Sequence, residues 1–384
     1  MAGVPEPPHS NRPFTMIPVH EPVIGQRELA LVTEALRQGQ ISGSAGRFIE
    51  EFESRFASYC ECRHGVAVSS GSSALHLAMA TIGIQAGDEV LVSACTNIAS
   101  GNGVVMEGGV VVPIDSEPDT WNMNPALLES AITARTKAIL PVHIYGHPVD
   151  MDSVLRIARQ HNLRVVEDCA EAHGALYRGK KVGSLSDLAC FSFYANKVIT
   201  TGEGGMITTN DAGLAEKARR LRNLAFTTPR FRHEEVGFNY RMTNLQAAIG
   251  VAQFERIEEI IEAKRAIARK YTAGLKGIRG LRLPVEKSYA RNVYWMYAVV
   301  VDPEFGMPRD QLAAALGERG IDSRTFFCPL NLQPAYQRRK AVREVSCPEA
   351  EILWERGLYL PSGCTLTDEH LTTVCQAFRD LGPR

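Results

Sequence analysis

The sequence predicts an α/β protein: a large, mainly parallel sheet domain followed by a smaller C-terminal α/β domain. Three observations carry that prediction. Between Val66 and Asn210, short β-rich runs alternate with helical patterns. Those runs are continuously apolar instead of alternating with polar residues, as in strands covered on both faces. Past Arg241 the texture changes to a long amphipathic stretch and then to a second, shorter set of strand and helix patterns.

The elements follow in order. Pro5, Pro7, Pro8 and Pro13 make residues 1–16 read as a loose tail, with residues 17–242 as the large domain and 243–384 as a linking helix plus the small domain. The strand candidates are GVAVSS, EVLVSA, GVVVPIDS, KAILPVHIYG, LRVVEDC, LACFSFY and GGMITTN. Helical periodicity appears in SALHLAMATIGI after the first strand and in DMDSVLRIARQH before the fifth. Thr243 is placed to cap a helix, and apolar residues then recur through Leu245, Ala248, Ala252, Phe254, Ile257, Ile261, Ala268, Tyr271 and Leu275. That spacing predicts one long amphipathic helix. Beyond it, YWMYAVVV predicts a strand, and PRDQLAAALGERG and DEHLTTVCQAFRDL predict helices.

Composition removes several function classes. With 42 basic against 43 acidic residues, the formal net charge is -1, which gives no electrostatic footprint for nucleic acid or an anionic membrane. No apolar stretch approaches the roughly 18 residues of a membrane span, and no basic-then-apolar signal opens the chain. The nine cysteines are scattered, with Cys60 and Cys62 forming only a CxC. Neither they nor the histidines show metal-ligand spacing, so no metal is expected. Reduced thiols and a cytoplasmic location are.

The chemistry gathers around Lys197, in the run FSFYANKVITTGEGG. A lysine between an aromatic run and a glycine-rich turn is a candidate for burial, which favours its neutral, nucleophilic form. Asp168 ends the preceding apolar run LRVVEDC. A lysine and a carboxylate at the mouths of successive strands suit pyridoxal phosphate. The lysine forms a Schiff base, and the carboxylate keeps the pyridine nitrogen protonated. Asp168 is equally suited to capping the next helix. Ser72 and Ser73 follow Gly71 at a helix start, where free N–H groups and the helix dipole favour a phosphate; a plain serine N-cap is the alternative. Ser192, five residues before Lys197, is within reach of the same phosphate. Glu171 and His173 share the small-residue turn DCAEAHGA, which suits a packed polar site and equally a solvated loop; in the first case His173 is expected to pack against the cofactor ring or its hydrogen-bond network.

The segments SSGSSALHL, VVEDCAEAHGA, FSFYANKVITTGEGG and GFNYRMTNLQAAIG resemble the DegT/DnrJ/EryC1/StrS nucleotide-sugar aminotransferases of pyridoxal-phosphate fold type I. The resemblance runs from about Ile17 to the C-terminus. It implies transfer of the amino group of L-glutamate onto a keto carbon of a nucleotide-activated sugar, GDP-linked in the members with the most similar motifs, with pyridoxamine phosphate formed in the half-reaction. It assigns Lys197 as the cofactor-bonding lysine and proton shuttle, and Asp168 as partner of the ring nitrogen. Glu171 falls near the ring hydroxyl, where many members have glutamine, and Ser72, Ser73 and Ser192 fall at the phosphate. Asn239 matches an asparagine that reaches the phosphate from a neighbouring subunit, which implies a homodimer with active sites at the interface. His143, Tyr145, Tyr294 and Trp295 are further pocket candidates, and His173 a catalytic one.

Two positions depart from the family pattern. Asn97 stands where an aromatic residue usually stacks on the ring, leaving more room above it. Asn331 occupies a variable, substrate-side position. Both bear on which sugar is used, and a bulkier GDP-linked sugar such as an octose is the alternative substrate. A sugar dehydratase of this family replaces the lysine with histidine, and a non-catalytic regulator has no need of Lys197 or Asp168; this sequence keeps both residues.

Overall fold

The computed structural model describes residues 16–44 and 46–383. The expected tail, apart from Met16, lies outside the described residues. All seven strand candidates form strands of one sheet, in the order His64–Val68, Gly205–Thr209, Leu188–Ser192, Arg164–Asp168, Thr136–Leu140, Glu89–Ser93, Val110–Ile114. Every strand runs the same way except Gly205–Thr209, which is antiparallel to both neighbours. Glu89–Ser93, Leu188–Ser192 and Gly205–Thr209 are buried at every residue, so the apolar runs reflect a sheet covered on both faces. The helices Gly71–Ile82 and Met151–Gln160 stand where the periodicity put them. Among the described residues, no helix is long and apolar enough to cross a membrane.

The expected single helix from Thr243 to Leu275 is instead two, Asn244–Phe254 and Ile257–Leu275. Thr243 caps the first of them, in a reciprocal capping box with Gln246. The break at Glu255 and Arg256 has a packing cause. The first helix lies against Gln26–Arg37 and Arg47–Tyr59, whereas the second lies against Asp368–Leu381. One straight apolar stripe cannot face both surfaces. Glu255 is held at the break by Arg27, 2.8 Å away.

A second, antiparallel sheet follows, in the order Leu281–Arg282, Tyr297–Val301, Gly357–Leu360, Arg324–Thr325. Helices Arg309–Glu318 and Asp368–Leu381 contribute Leu312, Leu316, Leu371, Val374 and Phe378 to its core. Ile17 joins the same cluster and bridges to Ile321, so the start of the described chain packs against the C-terminal half.

Candidate active site

The C-terminal ends of the parallel strands and the N-terminus of Gly71–Ile82 meet at one cavity of about 290 Å³, where ligands gather in open α/β sheets. Ser72, Asn97, Asp168, Glu171, Ser192, Lys197 and Trp295 all line it. Of the expected residues these seven are brought together.

Lys197 enters from the loop after Leu188–Ser192. Its Nζ lies 4.0 Å from Glu171 Oε1 and 3.8 Å above the centre of the Trp295 ring. Burial pushes the Lys197 pKa down, against the opposing pull of Glu171 and Asp168. The Trp295 indole N–H donates to Asn196 O at 2.7 Å, fixing the ring under the ammonium. Glu171 is fully enclosed, and burial raises its pKa to about 7 despite Lys197. Its Oε2 accepts the Tyr145 N–H at 2.7 Å. Tyr145 holds a left-handed φ of 51° at this point, a strained conformation that aims the N–H at the carboxylate.

Asp168, at the end of its strand, accepts from Ser100 Oγ at 2.7 Å and from Ala170 N at 3.0 Å. Thr96 Oγ1 lies 2.8 Å from Ser100 Oγ, extending the chain. Burial raises the Asp168 pKa, offset by these two donors and by Lys197. The carboxylate is thus oriented, yet keeps acceptor capacity toward the cavity.

The phosphate end is formed by close approach of two loops. A Cβ on Gly71 would sit 2.6 Å from Ser192 Cβ, and one on Gly205 only 2.3 Å from Ser70 O. Ser70, not Ser72, is the N-cap and accepts from Ser73 N. The first N–H groups of the helix therefore remain free at the cavity, beside the Ser72 and Ser192 side chains. Asn196 Oδ1, also at this wall, is buried with no partner. The donor set fits pyridoxal phosphate: free N–H and O–H donors at one end, an oriented carboxylate at the other, and a buried lysine between.

The remaining expected residues lie elsewhere. Ser73 turns back, with its Oγ 2.9 Å from Ser70 Oγ and 3.1 Å from Ser69 Oγ; each helical residue rotates about 100°, which takes it off the wall. His143 has no exposed surface, because Val142 faces the cavity and its neighbour faces the core. Val149 N–H donates to His143 Nδ1 at 3.0 Å, leaving the ring proton on Nε2 for Glu167, 3.1 Å away. His173 lies behind the wall, packed against Phe56, Phe191 and Phe193. Burial pushes its pKa down to about 3, so it is a neutral core ring that does not reach the reacting atoms. The Tyr145 ring does not line the cavity either; it braces Trp295 and Phe327 in near-parallel stacks. Tyr294 does not line the cavity, and its hydroxyl donates to Glu286 at 3.1 Å. Asn331 Nδ2 donates to Glu351 at 2.9 Å, away from the cavity. Asn239 is exposed and does not line its own chain's cavity.

The structure adds Ser70, Thr96, Tyr194, Asn196, Phe327 and Tyr359 to the lining, and Ser100 behind Asp168. The helix-start pattern carries a signal for Ser70. Phe327 and Tyr359 arrive from the C-terminal half, and no local pattern marks them.

Over residues 22–379 the chain matches the DegT/DnrJ/EryC1/StrS aminotransferase family. It is 46% identical over 364 residues to the GDP-perosamine synthase of Caulobacter vibrioides, covering 94% of this chain and 97% of that protein. It is 40% identical over 341 residues to the dTDP-3-amino-3,4,6-trideoxy-alpha-D-glucose transaminase of Streptomyces venezuelae, with 88% of each covered. Among solved structures, the PLP form of the putative sugar aminotransferase Spr1654 from Streptococcus pneumoniae superposes with a TM-score of 0.89 at 26% identity, covering 95% of this chain and 98% of that one.

Proposed function

The chain belongs to the DegT/DnrJ/EryC1/StrS aminotransferase family, and from that premise we propose that it aminates the C4 keto carbon of GDP-4-keto-6-deoxymannose, with L-glutamate as donor. It is a pyridoxal-phosphate-dependent aminotransferase. The observation that carries the GDP-sugar reading is the 46% identity to a GDP-perosamine synthase across nearly the whole chain. The active site we assign to this reaction is the cavity beside Lys197.

When bound, the cofactor supplies an electron sink that lets a proton leave the amino-bearing carbon. Lys197 would bond the cofactor and would carry that proton. Burial lowers its pKa, against the pull of Glu171 and Asp168, and so favours the nucleophilic amine. Asp168 would hold the ring nitrogen, locked toward it by Ser100 and the Ala170 N–H. Glu171 would face the ring hydroxyl, and Ser72, Ser192 and the free helix N–H groups would hold the phosphate. Trp295, Phe327 and Tyr359 wall the cavity and exclude water around Lys197. Asn239, exposed and away from its own cavity, is the group we assign to the partner's phosphate site in a homodimer. The nine unpaired cysteines accord with a cytoplasmic enzyme.

A panel of GDP-, dTDP- and UDP-linked keto sugars incubated with glutamate, read by mass spectrometry, tests the substrate. An aminated GDP-4-keto-6-deoxymannose is expected, and none with Lys197→Ala. Amination of a dTDP or UDP sugar with the GDP sugars inert would overturn the GDP assignment.

A further inference from the structure

The proposed substrate carries a diphosphate, and the cavity lining does not balance its charge. Lys197, committed to the cofactor, is the only cationic side chain of that lining among the described residues, against the carboxylates of Asp168, Glu171 and Glu203. A diphosphate at this mouth needs cations from outside the lining.

Free cations stand on an arm of the chain that the mechanism has not used. Residues 224–238 leave the body of the protein and return to it. The Leu224 N–H donates to Phe238 O at 2.8 Å, and the Phe238 N–H to Leu221 O at 2.7 Å. Within the arm, the Thr227 hydroxyl donates to Arg232 O at 2.7 Å, and His233 Nδ1 donates to Leu224 O at 2.8 Å. Arg230 and Arg232 are exposed, and neither joins an ion pair among the described residues. The Arg230 guanidinium lies over the Phe226 and Phe231 rings, 5.7 and 5.0 Å from their centres. Arg220 occupies Glu235 at 2.6 Å, so Glu234 is the arm's one free carboxylate beside two free guanidinium groups.

Phe231 and Val236, on the same arm, are the most exposed large apolar side chains among the described residues, at 74% and 88%. Concentrated on one projecting segment, they mark a surface that another molecule covers. None of the arm's residues lines its own chain's cavity. Asn239, assigned above to the partner's phosphate site, follows the arm directly, so the same displacement carries the arm to the partner's cavity.

We propose that the arm of one protomer closes over the cavity mouth of its partner. There Arg230 and Arg232 bind the diphosphate of the nucleotide sugar, and Phe231 offers its ring face to the base. The inference rests on the nucleotide-sugar reading and on the homodimer, and holds whichever base the substrate carries.

The test uses the cofactor-loaded full chain and the paired variant Arg230→Ala with Arg232→Ala. Calorimetry should show GDP binding weakened about 10–100-fold, and the KM for the nucleotide sugar should rise by a similar factor. The KM for glutamate, whose half-reaction involves no diphosphate, should move less than about twofold. Mixed dimers then separate the two chains. A Lys197→Ala protomer joined to an arginine-variant protomer has one site with both Lys197 and an intact arm, provided the arm comes from the partner. Such dimers should show the wild-type KM at half the wild-type turnover. A KM as high as in the arginine-variant homodimer overturns the proposal, as does unchanged GDP affinity in that homodimer. If dTDP or UDP binds in place of GDP and loses the same factor, the GDP reading fails and the arm stands. If the alanine pair does not dimerise, Arg230→Gln with Arg232→Gln replaces it in every measurement.

Discussion

Glu167 and Asp168 are consecutive residues on one strand, both buried carboxylates, facing opposite sides of the sheet. Glu167 points into the core. It accepts from His143 Nε2, Gly183 N, Leu185 N and Ser186 Oγ, so four donors meet two oxygens. Asp168 points into the cavity and accepts from only two donors, Ser100 Oγ and Ala170 N. The pair teaches that burial alone does not mark a functional carboxylate. A saturated one holds the fold together; one with acceptor capacity left over, beside a cavity, is kept for a ligand. His143, Glu167 and Cys169 also bring ligand-type atoms within 4.8 Å of one another, but hydrogen bonds already engage both His143 nitrogens and both Glu167 oxygens.

Four variants break or sharpen the comparison. The largest effect is expected from Glu167→Ala, which strands His143, two N–H groups and a hydroxyl in the core. It should cost about 3–5 kcal/mol of unfolding free energy, measured by urea denaturation, while the folded fraction still takes up cofactor. Asp168→Ala should do the reverse. Stability without cofactor should stay within about 1 kcal/mol of wild type, and turnover should fall about 10²–10³-fold together with cofactor retention. Equal effects on folding and activity in the two variants would dissolve the distinction.

Ser100→Ala removes the hydroxyl that orients Asp168 from behind. Turnover is expected to drop about tenfold, with Ser100→Thr restoring it and the cofactor's absorbance spectrum reporting the loosened ring contact. The last variant concerns Glu171, and its effect is read as a pH slope. Its folded pKa, near 7, lies above its ordinary value of 4.5 because burial opposes ionisation. Its contribution to stability is therefore complete below about pH 4.5 and is lost as pH rises through 7. In cofactor-free protein, Glu171→Gln should flatten the stability profile across that window, by a slope of at most about 1.4 kcal/mol per pH unit. An unchanged slope would mean that Lys197 and the Tyr145 N–H already compensate the charge.

How much of the site could be read from the chain depended on how local the signal was. Asp168, Ser72 and Ser192 stand at strand ends or a helix start, and Lys197 in the loop directly after Leu188–Ser192, where the pattern of strand, turn and helix fixes both position and direction. His143 was misplaced because the side a residue faces alternates along an extended segment, and Val142 took the inward position; Tyr294 sits at a left-handed φ of 49°, where alternation does not hold, and Trp295 lines the cavity in its place. Asn331 lies in a region without such a pattern, and its partner Glu351 settled its direction. The helix break at Glu255 and Arg256 was invisible because helical periodicity records one apolar stripe, not the change of neighbour that divides it.

The sequence by itself determined the sheet, its buried strands, the capped helix at Thr243 and the lysine–carboxylate pair, all consequences of short-range preference and periodicity. Only the tertiary structure decided that Ser100 backs Asp168 across a sequence separation of 68 residues, and that Phe327 and Tyr359 close the cavity from the other half of the chain. It also buried Lys264 behind Lys197, with its Nζ on the Trp295 and Ser362 carbonyls. Those relations depend on which surfaces pack together, because burial and hydrogen-bond saturation belong to the assembled neighbourhood and not to any one segment.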